Sequence, residues 1–135
     1  WSRLISKLTD NSINVYHFGY FKEPKLSGNK KYYHNLTNID FFNQIKISLG
    51  CKLAIGTDSG SMWVLAAYNH PIIVLGTNWY DNHTENLKAT IPPIKNGECI
   101  FNQNNFLSLS SDEVYEKILS YGVKRENLID KIFKF

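Results

Sequence analysis

Residues 54–76 read AIGTDSGSMWVLAAYNHPIIVLG, and this stretch decides the fold. An apolar run breaks at Gly56-Thr57-Asp58-Ser59-Gly60. The residues from Ser59 to His70 have a helix-forming composition, Pro71 closes them, and Ile72–Leu75 is apolar without alternation. Strands that read as unbroken apolar runs are buried on both faces, as in a parallel sheet covered by helices. Strand, polar turn, helix and strand in this order describe a βαβ crossover.

The flanking chain repeats the alternation. NIDFFNQIKISLG at 38–50 predicts a helix: Asp40 is a candidate N-cap, Phe41, Phe42, Ile45 and Leu49 form one stripe, and Gly50 is a natural stop. CKLAIG at 51–56 predicts a short strand. Further upstream, WSRLISKLTD carries apolar residues on one helical face, and Ile13–Phe18 is a β-prone run ending at Gly19. Residues 20–38 read as loop with a short strand around Tyr32–His34. Downstream, 77–97 is a long polar segment bearing prolines, a length usually tied to function or to surface wrapping. ECIF at 98–101 predicts a strand, 110–122 a helix led by Ser110 or Ser111, and the last residues an amphipathic helix. Ala66 and Ala67 allow close helix–sheet approach. The expected class is α/β, with a doubly wound, mostly parallel sheet in a single domain spanning 1–135.

Composition narrows the function classes. The chain has 135 residues, 43% hydrophobic and 14% aromatic, enough for a core. Its net charge of +3 is too mild, and too evenly spread, for a nucleic-acid binder. The lysine-rich stretch KEPKLSGNKK at 22–31 is either a solvated loop or an attractor for phosphate or an acidic surface. Cys51 and Cys99 match no metal or redox spacing; a buried free thiol is expected at Cys51, with a disulfide left open. The acceptor patterns at Asn35 and Asn82 are read as accidental in an Asn-rich chain. No stretch reaches the roughly 18 apolar residues of a membrane span, and no signal pattern is visible. The chain begins at Trp1 without a Met, which suggests a piece of a longer protein.

The polar turn has chemistry of its own. In open α/β sheets, ligands bind beyond the carboxyl ends of strands. The first turn of the following helix offers unpaired N–H groups and the positive dipole end, an anion site suited to phosphate. Gly60 permits close backbone approach, and Thr57, Ser59 and Ser61 add hydroxyls. Asp58 would repel a phosphate, so it caps the helix, orients a hydroxyl, or contacts a sugar or metal. The turn is neither a Walker A loop nor a dinucleotide fingerprint. The alternative is an ordinary turn with an N-cap.

Residues 40–79, DFFNQIKISLGCKLAIGTDSGSMWVLAAYNHPIIVLGTNW, resemble the nucleotide-sugar half of GT-B glycosyltransferases. The nearest likeness is to the heptosyltransferase-like group that acts on bacterial lipopolysaccharide and related glycans. The likeness rests on Asp58-Ser59-Gly60, Ala66-Ala67, Pro71 and Ile72–Leu75, with Trp1, Leu4, Leu8 and His17-Phe18-Gly19 upstream. It implies a Rossmann-like domain, the C-terminal part of a two-domain enzyme. It implies a nucleoside-diphosphate sugar as donor substrate, a glycan or lipid-linked acceptor, and no metal or further cofactor. The implied place is the cytoplasm, peripheral to the inner membrane face. The implied donor-phosphate contacts are Thr57, Asp58, Ser59, Gly60, Ser61 and Trp63; Glu23 after Gly19 would hold the ribose, and Ile39 would pack on the base. Trp79 and His83, in the long segment, are candidates for sugar or acceptor contact. The group usually carries His where this chain has Trp63, which cannot carry positive charge but can donate through its indole N–H. Trp63 is otherwise core packing. The acceptor site and general base usually come from the N-terminal domain, so this piece alone should not turn over. Two other readings stay open: a sugar-nucleotide epimerase-like enzyme, short of the acidic residues expected after the turn, and a non-catalytic binding or scaffolding domain that kept the fold.

Overall fold

The computed structural model describes residues 1–19, 26–76, 94–100 and 109–124. Its elements are α1 (Ser2–Asp10), β1 (Val15–His17), β2 (Tyr33–Asn35), α2 (Phe41–Leu49), β3 (Ala54–Thr57), α3 (Gly60–Ala67), β4 (Ile72–Leu75), β5 (Gly97–Ile100) and α4 (Ser111–Ser120). Helices and strands alternate from α2 to β4, and every described strand pair is parallel. The strands form two small sheets, β1-β2 and β3-β4-β5. The chain falls into two compact units: Trp1–Asp40 with the chain from Ser111, and Phe41–Ser110. The expected terminal amphipathic helix lies outside the described residues.

In the first unit, α1 buries Leu4, Ile5, Leu8 and Thr9, the face its spacing predicts. It packs on α4, which buries Val114, Tyr115 and Ile118. The Lys7 ammonium donates to Asp112 Oδ1 at 2.6 Å and lies 4.4 Å from the Tyr115 ring centre. Thr9 is fully buried, and its hydroxyl donates to the Ile5 carbonyl at 2.9 Å while accepting from the Asn29 N–H at 3.0 Å. That bond draws the chain at Gly28 onto α1, where a Cβ would stand 2.9 Å from Ile5 Cγ2. Only glycine leaves room for this approach. Across the β1-β2 ladder Tyr16 stacks on His34 at 4.8 Å, and His17 Nδ1 pairs with the Tyr33 hydroxyl at 2.9 Å. Asn35 accepts from the Thr37 N–H at 3.0 Å, so the acceptor pattern there serves as an Asx turn.

The second unit is built around β4. Ile72, Ile73, Val74 and Leu75 are all buried, so both faces of the strand are covered, as its unbroken apolar run requires. Each such side chain contributes roughly 1.5–3 kcal/mol by leaving water. One face joins a core of Ile45, Met62, Leu65, Ile72 and Val74, with Ala54, Trp63, Ala66 and Cys99 against it. The pairing is in step, Thr57↔Leu75↔Ile100, so the three strands end along one edge. Gly97 has φ +139°, and a Cβ there would lie 2.0 Å from the Ile72 carbonyl oxygen. The β4–β5 ladder therefore depends on a residue without a side chain at this point.

Several local expectations are corrected. The α2 stripe is not a buried face: Ile45 and Ser48 turn inward, while Phe42 is 82% exposed and Phe41 and Leu49 are also exposed. A short helix touching α3 along one line buries only the residues on that line. Ala66 packs on the core, but Ala67 is exposed just before the Tyr68 C-cap. α3 ends earlier than Asn69, which adopts φ +57° and turns the chain toward β4. Cys51 sits in the turn after α2, half-buried, with its thiol donating to the Ile47 carbonyl at 3.4 Å. Both cysteines are free thiols.

Candidate functional site

β3 delivers Thr57 to the carboxyl edge of the sheet, and the chain turns there into α3. The N-cap of α3 is Ser59, held extended at φ −158° and ψ 157°. Its carbonyl accepts from the Met62 and Trp63 N–H groups at 3.1 and 3.2 Å, which starts the helix. No side-chain cap bond reaches the first turn. The Ser59 hydroxyl instead pairs with the Ser61 hydroxyl at 3.1 Å. The Gly60 and Ser61 N–H groups, which no helix can satisfy internally, therefore face outward without a side-chain oxygen on them. A Cβ built at Gly60 meets no heavy atom within 4 Å, so this position has room for a side chain.

Asp58 does not cap the helix, contrary to one of the roles expected of it. Its Oδ1 accepts from the Trp63 indole N–H at 2.7 Å. The reason is reach: Trp63 lies one turn into α3 with its ring against the core, and its Nε1 comes out beside the carboxylate. A buried ring with a polar tip needs a partner for that tip, and Asp58 supplies it. Trp63 is thus a packing residue whose single donor is already engaged.

Cys99 on β5 belongs to the same neighbourhood. Burial, with the Asp58 negative charge added, pushes its thiol up to about 11. Cys99 pairs with Val74 and packs against the same core cluster as Trp63. Sequence reading could not place it beside Asp58, because strand order joins two positions far apart in the chain. Among the described residues, no group of three or more His, Cys, Asp or Glu side chains could hold a metal.

Of the expected site residues, the structure brings together Thr57, Asp58, Ser59, Gly60, Ser61 and Trp63. Gly19 and Ile39 belong to the other compact unit. Ile39 is half-buried, and its N–H donates to the Leu36 carbonyl at 3.3 Å. Glu23, Trp79 and His83 lie outside the described residues. No helix among the described residues is long and apolar enough to cross a membrane. No protein-family model, curated protein or solved structure matches this chain.

Proposed function

We propose that this chain is the nucleotide-sugar-binding part of a GT-B glycosyltransferase, a Rossmann-like domain with a doubly wound sheet. The first turn of α3 would receive the donor diphosphate. One observation carries the reading: the α3 N-terminus stands at the carboxyl edge of a parallel sheet with its first amides uncapped by any side chain. Outward amides and the helix dipole stabilise an anion there. They would also stabilise the charge that grows on a leaving diphosphate, which is catalysis by preorganised donors. In this reading the Ser59 and Ser61 hydroxyls add donors to the phosphate oxygens. Asp58, held by Trp63, is kept from folding onto the same amides. The donor sugar would pass to a glycan or lipid-linked acceptor.

A second reading, a binding domain without chemistry, is favoured by Trp63. Its ring packs partly buried against the core and its indole N–H is satisfied within the protein, so nothing in its environment requires a substrate.

The test is amide NMR with ADP, GDP, UDP and CMP titrated separately into the chain. The expected result is saturable shifts at residues 57–61 for one nucleotide, lost in Gly60→Val. That substitution has room to fold, since no atom lies within 4 Å of the new Cβ. Silence at millimolar concentration for all four, or binding that survives Gly60→Val unchanged, overturns the donor-site reading.

A further inference from the structure

His70 is an unusual residue for its position. It lies between α3 and β4, is 7% exposed, and its Nε2 is buried with no hydrogen-bond partner among the described residues. A polar atom left so loses the hydrogen bonds it would make with water and gains none in return. The backbone around it is hydrogen-bonded on both sides. Asn69 holds a left-handed turn, the His70 N–H donates to the Leu65 carbonyl at 3.1 Å, and the next carbonyl, of Pro71, accepts from the Ala54 N–H at 3.0 Å. The Ile72 N–H then donates to the Asn96 carbonyl at 3.0 Å, and the Asn96 side chain donates to the Asn69 carbonyl at 3.3 Å. Every strand of this sheet is therefore pinned at the residues flanking one buried imidazole.

A neutral imidazole tolerates that environment. A protonated one carries an N–H on each ring nitrogen and a charge, and it needs water or an anion. Among the described residues, the elements packed around it offer no anion. α3, β3 and β4 contain no acidic or basic side chain. β5 contributes Glu98 and Cys99; Glu98 pairs with Ile73, on the sheet face opposite Ile72 and Cys99. Among the described residues, the remaining ionisable groups at this end are Tyr68 after α3, Lys52 before β3, Lys95 before β5, Lys46 on α2 and Cys51 after it, none of them a carboxylate. The carbonyl end of α3 favours a cation there, but burial outweighs it and holds the imidazole below the usual histidine range.

We propose that His70 makes the α3–β4 junction an acid-operated latch, closed while the imidazole is neutral and released when Nε2 takes a proton. The sign follows from linkage. The open form binds a proton at an ordinary pKa of about 6.5, and the closed form resists it, so acid favours opening. If the closed form takes no proton, the opening constant grows by roughly tenfold between pH 7.5 and 5.5.

Amide hydrogen exchange of the full chain, corrected for intrinsic rate, measures this directly. The reporters are the His70 and Ile72 N–H groups, and the Ile13 N–H, bonded to the Leu8 carbonyl in the other unit, is the control. The expected result is a roughly tenfold rise in opening at His70 and Ile72 from pH 7.5 to 5.5, absent at Ile13 and absent throughout in His70→Leu. Should His70→Leu not fold, the His70 Hε1 resonance of the unaltered chain decides: it should titrate below the ordinary histidine midpoint. Equal opening at both pH values, or a His70 ring titrating at an ordinary midpoint, overturns the latch.

Discussion

The Asp58–Trp63 contact can be weighed by a double-mutant cycle of Asp58→Ala and Trp63→Phe. The bond is short, 2.7 Å, and its acceptor is a carboxylate. Hydrogen bonds to charged groups contribute about 1.5–3 kcal/mol when shielded. Asp58 is exposed, so water competes for its oxygens and the net value falls to about 1 kcal/mol. Trp63→Phe should cost more, about 2 kcal/mol, because it also withdraws ring surface from the Met62, Leu65 and Val74 core. The coupling between the two should be about 1 kcal/mol. The assay is urea unfolding of the four proteins by circular dichroism, which avoids relying on the altered tryptophan. With a slope near 2 kcal/mol per molar, the coupling appears as a non-additivity of about 0.5 M in midpoint. Non-additivity below about 0.3 kcal/mol would refute the contact as a stabilising bond and remove the argument that Asp58 is held off the α3 amides.

Gly97→Ala places a Cβ 2.0 Å from the Ile72 carbonyl oxygen at a positive φ; it should cost about 3 kcal/mol or more, and a near-unchanged Tm would show that β5 does not pair as described. Thr9→Val keeps the shape but strips the Asn29 N–H of its acceptor, which should cost about 1–2 kcal/mol in urea unfolding; a neutral result would mean the loop at Gly28 is not anchored to α1. Cys99, pushed up to about 11 chiefly by burial, should have roughly a thousandth of its thiol ionised at pH 8. Its alkylation by iodoacetamide should then be slow and rise about tenfold per pH unit toward that value, and Asp58→Asn should leave most of the suppression in place. Labelling at the rate of a free thiol at pH 8 would contradict the burial of Cys99 against the core.

The exposed Lys7–Asp112 pair carries a small pH signature. Hydrogen bonding to Lys7 holds the Asp112 carboxyl below the usual carboxylate range. A depressed carboxyl stabilises the fold above its unfolded pKa and loses that contribution as pH falls through the folded one. Acid titration of Lys7→Met should therefore show a shallower stability loss below about pH 4 than the unaltered chain does.

Local patterning was enough to read the elements. Apolar spacing in 1–10, the unbroken run Ile72–Leu75, the break at GTDSG and the serine-led helix at 111 all reappear in the structure, because periodicity and turn chemistry act between neighbours in the chain. The candidate turn was legible for the same reason: strand, small polar residues and helix are contiguous. Contacts between distant positions could not be read this way. A cap is one of the roles the sequence leaves open to Asp58, because its nearest donors in sequence are the α3 amides, yet it bonds the indole of Trp63, which packs against the core. Phe42 looked buried because helical spacing marks an apolar stripe but not whether a neighbour covers it. Cys99 meets the charge of Asp58 only because β4 lies between β3 and β5. His70 looked like an ordinary helix end, and it is burial against the sheet that leaves its Nε2 unpaired. The kinds and order of the elements follow from the residues beside one another. Which polar groups find partners follows from strand order and packing, because desolvation and hydrogen bonding depend on neighbours in space.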